Sequence, residues 1–184
     1  MSPDRTETVP GRFMTCRDSV LWWFPDYEAA ACQDHRHAHE LHVVERHQHR
    51  SVVLLPDGTA LTAVSFHPEA PYVRDRVPDY GFYLDPRWEP PWPHELLDWP
   101  DFGVPDVAPL RIALRSLLER SRSGEVVELG CVGSHGRTGT ALACLSVLTG
   151  GEADQSVNWV RAVHCEKAVE TAEQETFARH FRPF

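Results

Sequence analysis

The alternation of apolar and polar positions predicts strands in the first half of the chain and helices in the second. Residues 51–55 and 60–66 are rich in aliphatic side chains and flank Pro56-Asp57-Gly58-Thr59, which is a typical turn sequence, so they predict a hairpin. The apolar run 80–84 predicts another strand. Apolar residues at helical spacing predict an amphipathic helix from Val107 to Arg122. These residues are Leu110, Ala113, Leu114, Leu117 and Leu118.

The rest of the pattern completes a mixed α/β domain. A short strand is predicted at residues 125–129, a mostly apolar helix at 140–148, and two further helices at 152–164 and 171–181. Residues 85–93 combine four prolines with large apolar side chains, so they predict a structured loop rather than a strand. We expect one domain over residues 1–184, with a central mixed β-sheet flanked by α-helices.

Composition excludes several classes of function. The formal net charge is −9 at pH 7, whereas binding to nucleic acid or an anionic membrane calls for a basic surface. No apolar run approaches the roughly 18 residues of a membrane-spanning helix. The five cysteines are odd in number, lack paired spacing and follow a polar N-terminus, which favours a reducing cytoplasm.

The main chemical signal is the sequence Cys-Val-Gly-Ser-His-Gly-Arg-Thr-Gly at residues 131–139. It stands between a predicted strand and the start of a predicted helix, where loop N–H groups and the helix dipole attract anions. We call residues 131–137 the cysteine loop and expect it to bind phosphate. The expected phosphate-binding residues are Val132, Gly133, Ser134, His135, Gly136 and Arg137.

Three side chains in and next to this loop suit phosphoryl transfer. Cys131 lies beside a guanidinium and a helix N-terminus, which favour the nucleophilic thiolate. Arg137 can donate two parallel hydrogen bonds to phosphoryl oxygens. Thr138 is expected to stabilise the thiolate and to help it leave in a later step.

A second motif precedes the cysteine loop by about thirty residues. Residues 98–105 read Asp-Trp-Pro-Asp-Phe-Gly-Val-Pro, and we call them the acid loop. Asp101 is the candidate general acid, because an alkoxide or phenoxide leaving group needs a proton. Trp99 and Phe102 are expected to anchor the conformations of the loop.

Together the two motifs resemble the cysteine-dependent protein tyrosine phosphatase superfamily, including its dual-specificity branch. The resemblance covers residues 98–181 and implies a phosphatase-like fold with the phosphate-binding loop between a strand and a helix. It implies that the protein hydrolyses phosphoric monoesters through a phosphocysteine intermediate and needs no cofactor. The implied substrate is a phosphorylated protein or a small phosphate ester. Residues 168–177 are similar to the family segment whose glutamine positions water, which assigns that role to Gln174. Residues 1–50 carry no motif of the family, and their role stays open.

The sequence departs from the family pattern at one position, and several alternative functions and substrates remain open. Gly130 stands where the family usually has a histidine, which predicts a slower or pH-shifted enzyme. A pseudophosphatase that binds phosphorylated ligands is the main alternative; sulfur or arsenate chemistry fits less well, because it would not need the acid loop.

The substrate also stays open between phosphotyrosine, phosphoserine or phosphothreonine, and a phosphorylated metabolite. An inositol lipid is less favoured, because the cysteine loop lacks the lysines that favour such substrates. A phosphotyrosine slot needs an aromatic wall, and its candidates are Tyr72, Tyr80, Tyr83, Trp88 and Trp92.

A histidine-rich run precedes the predicted sheet. Six histidines lie between His35 and His49, interleaved with Arg and Glu. Metal binding is conceivable at helical spacing, but no cysteine accompanies the run at a ligand spacing. We therefore expect a solvated surface and no metal site, and the oligomeric state is left open.

Overall fold

The computed structural model describes residues 12–16, 19–23, 49, 51–67 and 72–184. Strands β1 (Arg12–Cys16) and β2 (Ser19–Trp23) form an antiparallel two-stranded sheet and are described by their backbone alone. The histidine-rich run lies outside the described residues except for its last member, His49.

A five-stranded mixed sheet forms the centre of the domain. Its strands are β3 (Val52–Leu54), β4 (Ala60–Ser65), β5 (Tyr80–Tyr83), β6 (His94–Leu96) and β7 (Val127–Cys131). They lie in the order β3-β4-β7-β5-β6, and only the β3–β4 pair is antiparallel. The predicted hairpin and the predicted mixed sheet are confirmed. Strand β6 was not predicted, because three residues are too few to show a pattern.

The central position of β7 fixes where the candidate chemistry lies. Every residue of β7 is buried, as is usual for a parallel strand covered on both faces. Cys131 pairs with Ser65 of β4, and Gly130 pairs with Tyr83 of β5. The carboxyl ends of β4, β5 and β7 therefore meet at one edge of the sheet, where ligands of α/β proteins commonly bind.

The described residues form four α-helices: α1 (Val107–Arg122), α2 (Gly136–Leu148), α3 (Ser156–Val163) and α4 (Ala172–His180). Helices α1 and α2 pack against the sheet, and α3 and α4 pack against α2. The five apolar residues predicted to face the core from α1 are all buried. Helix α2 begins at Gly136, four residues before the prediction, because its first turn has the glycine-rich composition of a loop. No described helix has the length and hydropathy needed to cross a bilayer.

The proline-rich segment 85–93 is a structured loop, as predicted. Trp88 and Trp92 are buried, and the ring of Phe66 stacks on Trp88 with 5.0 Å between the centroids. The Trp92 indole N–H donates to the Tyr83 hydroxyl over 2.7 Å, and that hydroxyl donates to a Glu128 carboxylate oxygen over 2.9 Å. The loop is thereby joined to the core next to β5.

Candidate active site

The cysteine loop links the end of β7 to the start of α2. Cys131 is only 2% exposed, and its sulfur accepts a hydrogen bond from Thr138 Oγ1 over 3.0 Å. Ser134 has a φ of 58°, so the chain turns through the left-handed region there. Two contacts hold the loop in place: Ser65 Oγ donates to the Val132 carbonyl over 2.7 Å, and His164 Nε2 to the Ser134 carbonyl over 2.8 Å.

The N-terminus of α2 carries backbone donors for an anion. His135 is the N-cap residue, and its side chain makes no capping hydrogen bond. The Glu170 carboxylate lies beside Gly136, and the Gly136 N–H acts to lower the pKa of that carboxyl. A Cβ on Gly136 would lie 3.1 Å from the Gln174 amide and still closer to the Glu170 carboxylate, so the ends of these side chains would have to shift. A carboxylate of the chain itself therefore lies at the start of this helix.

Glu170 was not identified from the sequence as a functional residue. Burial and the nearby charge of Asp101 raise the pKa of Glu170, while the Gly136 N–H and Arg137 act in the opposite direction. The sequence offers no signal for this residue, because it reaches the site from the segment before α4.

Arg137 is 4% exposed and binds acceptors from three directions. Its Nη1 donates to the carbonyls of Leu84 and Trp99 over 3.2 and 3.1 Å and to Asp85 Oδ2 over 3.2 Å. Its Nη2 lies 3.4 Å from Asp101 Oδ1. Its Nε is buried and has no hydrogen-bond partner among the described residues. The guanidinium is thus fixed through Nη1, while Nε remains available to donate to a ligand.

Asp85 holds this arginine and was also missed by the sequence analysis. It lies two residues after β5, at the same edge of the sheet as Cys131, and that position is the signal that could have identified it. Arg87 donates to its two carboxylate oxygens over 2.8 and 2.6 Å. Burial favours the neutral acid, but the hydrogen bonds from Arg87 and the charge of Arg137 outweigh it and lower the pKa of Asp85.

The acid loop lies against Arg137 with its acidic side chain toward solvent. Trp99 is buried, and its indole N–H donates to the Gly103 carbonyl over 2.9 Å, so it anchors the loop as expected. The Asp101 side chain is 58% exposed. Phe102 is 59% exposed with a φ of 61°, so it does not anchor the loop in this conformation, and a role in a second conformation stays a prediction. A backbone strained at this point is held there by its contacts.

Those contacts come from the start of α4. Thr171 Oγ1 donates to the Phe102 carbonyl over 3.1 Å, and Gln174 Nε2 donates to the Gly103 carbonyl over 3.2 Å. Gln174 is fully buried, and its Oε1 accepts from the N–H groups of Glu170 and Thr171 over 2.9 and 3.3 Å. Its side chain therefore joins the acid loop to α4 in this conformation. Its role in positioning water stays a prediction.

The fold explains why residue 130 is a glycine. A Cβ built on Gly130 would lie 2.8 Å from the Val64 carbonyl oxygen and 3.0 Å from the ring of Phe66, and closer still to a Val64 methyl group. The space that a histidine side chain needs is thus filled by Val64 of β4 and by Phe66, which follows that strand.

Four of the five aromatic candidates for a substrate slot belong to the core. Tyr80, Tyr83, Trp88 and Trp92 are each at most 8% exposed, so the suggestion that they wall a slot is wrong. Tyr72 is only partly buried and stays a candidate. Phe102, beside the candidate acid, is the exposed aromatic side chain of the acid loop.

The chain resembles proteins of known sequence and known structure, although no family model matches it. It is 34% identical over 109 residues to the uncharacterized protein MJECL20 of Methanocaldococcus jannaschii, a match that covers 53% of this chain and 72% of that protein. It is 33% identical over 105 residues to the uncharacterized protein MJ0215 of the same organism, covering 51% of this chain and 64% of that protein.

The fold is similar to two solved structures, and both are structures of protein tyrosine phosphatases. Tk-PTP in its active form matches with a TM-score of 0.51 and 28% identity, covering 56% of this chain and 78% of Tk-PTP. Kinase associated phosphatase, solved with its catalytic-site cysteine replaced by serine, matches with a TM-score of 0.59 and 16% identity, covering 71% of this chain and 92% of that one. The chain therefore has the fold of the protein tyrosine phosphatases and belongs to the same family as MJECL20.

Proposed function

We propose that this protein hydrolyses phosphoric monoesters as a cysteine-dependent phosphatase of the protein tyrosine or dual-specificity type. The observation that carries the proposal is the state of Arg137. Its Nη1 is committed to Leu84, Asp85 and Trp99, while its buried Nε has no hydrogen-bond partner among the described residues. A buried donor without a partner is costly, and a tetrahedral oxyanion would satisfy it. The likeness to Tk-PTP supports the same class of reaction.

In the first step, the Cys131 thiolate attacks phosphorus in line with the leaving oxygen. A sulfur–phosphorus bond forms as the bond to the leaving oxygen breaks. Asp101 gives that oxygen its proton, so the alcohol or phenol departs neutral. Arg137 and the loop N–H groups stabilise the charge on the three equatorial oxygens.

In the second step, water attacks the phosphocysteine and the thiolate leaves. Asp101 is now ionised and accepts a proton from the water, so inorganic phosphate is released and the acid is restored. Thr138 Oγ1 lies 3.0 Å from the sulfur and donates to it as negative charge returns. We expect the Glu170 carboxylate, which lies beside Gly136, to leave the Gly136 N–H free for phosphate when a substrate occupies the loop.

The Cys131→Ser variant tests the proposal. We expect it to abolish hydrolysis of para-nitrophenyl phosphate and to lose the phosphoenzyme that a labelled substrate forms on the wild type. Cys144→Ala is the matched control, since this cysteine is buried within α2 and outside the site. Full activity of Cys131→Ser would overturn the mechanism.

A panel of substrates separates the remaining alternatives. Phosphotyrosine peptide, phosphothreonine peptide and small phosphate esters are compared by kcat/KM, and exposed Phe102 next to Asp101 favours a substrate with an aromatic ring. A pseudophosphatase would bind vanadate or phosphopeptide without any turnover. Phe102→Ala is expected to raise KM for phosphotyrosine peptide more than for small aliphatic esters.

A further inference from the structure

Three side chains of residue types that commonly bind metals come from separate parts of the chain and meet beside the cysteine loop. They are His49, His135 of the loop itself, and Cys165 just after α3. One possible ligand atom from each of them lies within 4.8 Å of the other two. The two histidines are partly buried and Cys165 is buried. This cluster could not be expected from the sequence, because its cysteine is far along the chain from the histidine-rich run.

The two imidazole rings face each other through their Nε2 atoms. His49 Nε2 and His135 Nε2 lie 2.8 Å apart, and the rings meet edge to face with 4.5 Å between their centroids. At that distance one nitrogen carries a proton and donates it in a hydrogen bond to the other nitrogen. A cation placed between the rings would replace this shared proton.

We propose that His49, His135 and Cys165 bind a Zn²⁺ ion. Two imidazoles and one thiolate form a donor set that zinc favours, and water or a further side chain completes a tetrahedron. Zinc–nitrogen bonds of about 2.0–2.1 Å place two tetrahedral ligands about 3.4 Å apart. The histidine pair, now at 2.8 Å, would have to open by about 0.6 Å, which small side-chain rotations supply.

The surroundings of His135 support this assignment. Its Nδ1 lies 4.0 Å from Glu170 Oε1, so a carboxylate is close to the side of the ring that would face away from the metal. Carboxylates in that position orient histidine ligands and fix their tautomer. Upon binding, the proton between the rings moves to an Nδ1 atom and the Cys165 thiol releases its proton to solvent. The ion then joins His49 and the segment after α3 to the cysteine loop.

Titration with Zn²⁺ tests the site on the full chain, prepared without a tag and freed of metal. We expect one zinc ion per chain by calorimetry, and a thiolate-to-metal charge-transfer band when Co²⁺ is used as the probe. His49→Ala and Cys165→Ser should each weaken zinc binding at least about tenfold, and Cys165→Ser should lose the band. Zinc should raise the melting temperature of the wild type but of neither variant.

Three further variants identify where the ion binds. Cys131→Ser should keep both the stoichiometry and the Co²⁺ band, which excludes the candidate nucleophile as the ligand. His180→Ala, at the exposed end of α4, should also bind like the wild type. Joint replacement of the histidines before His49 by asparagine should leave one tight site; these are His35, His37, His39, His42 and His47. Absence of stoichiometric binding, unchanged affinity in Cys165→Ser or His49→Ala, or loss of the site in the joint variant would each overturn the proposal.

Discussion

The carboxylate of Asp101 lies on the guanidinium of Arg137, with 3.4 Å between Oδ1 and Nη2. The two side chains differ sharply in exposure, 58% for Asp101 and 4% for Arg137, so an exposed loop residue meets a fixed, buried cation. Nη1 also binds the Leu84 carbonyl and Asp85, so two of the contacts that fix the arginine lie outside the acid loop. The pair therefore brings the candidate acid next to the candidate phosphate site before any substrate binds.

Asp101→Asn is expected to lower kcat/KM by about 10²- to 10⁴-fold for esters with poor leaving groups, since these need a proton as they depart. The loss should be smaller for para-nitrophenyl phosphate, whose leaving group is stable as an anion. Rates on a series of aryl phosphates measure this dependence. Asp106→Asn is the control, because asparagine can also cap α1 at that position. A uniform loss across the series would argue against Asp101 as the acid.

Thr138→Val is expected to slow turnover by roughly 10- to 150-fold, because a hydrogen bond to a charged group contributes about 1.5–3 kcal/mol. The buried hydroxyl donates to the Cys131 sulfur, which is the leaving group of the second step. Rapid-mixing experiments should therefore show a burst of the first product followed by a slow steady state. Thr138→Ser keeps the hydroxyl and should stay close to the wild type; an equal loss in both variants would contradict this role.

Gln174→Ala is expected to mimic the leaving-group dependence of Asp101→Asn, because Gln174 holds the Gly103 carbonyl of the acid loop. It should also lower the free energy of unfolding by about 1–3 kcal/mol, since it leaves the N–H groups of Glu170 and Thr171 without their acceptor.

Thr171→Val separates positioning of the loop from positioning of water. It removes the hydrogen bond to the Phe102 carbonyl, so its activity should fall most for esters with poor leaving groups, as in Asp101→Asn. Thr171→Ser keeps the hydroxyl and should not show this pattern. If Gln174→Ala slows only the hydrolysis of the phosphoenzyme, whatever the leaving group, Gln174 acts on water as the family resemblance implies.

Gly130→Ala is expected to destabilise the fold by about 1–3 kcal/mol, because the added methyl group would overlap Val64 and Phe66. Urea unfolding measures the change. Gly103→Ala is the control, since its Cβ would meet Pro100 Cβ at an ordinary 3.4 Å. Equal stability of the two variants would contradict the packing that excludes a histidine at position 130.

Asp85→Asn is expected to change how stability depends on pH. The pKa of Asp85 is below its ordinary value: burial alone would raise it, but the hydrogen bonds from Arg87 and the charge of Arg137 outweigh burial. The carboxylate therefore stabilises the fold above its unfolded pKa of about 3.9, and this contribution is lost as the pH falls through the lower folded value.

At neutral pH, Asp85→Asn should be less stable by about 3 kcal/mol. Between about pH 5 and pH 3 the wild type should lose stability more steeply than the variant. Urea unfolding over that range measures both effects, with exposed Asp154→Asn as the control. Parallel curves for wild type and Asp85→Asn would contradict the assignment.

The sequence by itself determined the parts of this protein that are local along the chain. The turn at Pro56–Thr59 joins the predicted hairpin, and the apolar spacing of α1 matches its buried face. The cysteine loop could also be identified, because Cys131, Arg137 and the backbone N–H donors between them lie in one short segment that leads into a helix. Periodicity and short motifs report such features directly, since they depend on neighbours a few residues away.

Only the tertiary structure decided which distant side chains complete the site. The order of parallel strands brings Asp85 to Arg137. Packing of the segment before α4 brings Glu170 to Gly136, and the close approach of β4 and β7 leaves only hydrogen at residue 130. His49 and Cys165 meet His135 in the same way. These contacts depend on how whole elements pack, and local sequence patterns carry no information about the facing surface of another element.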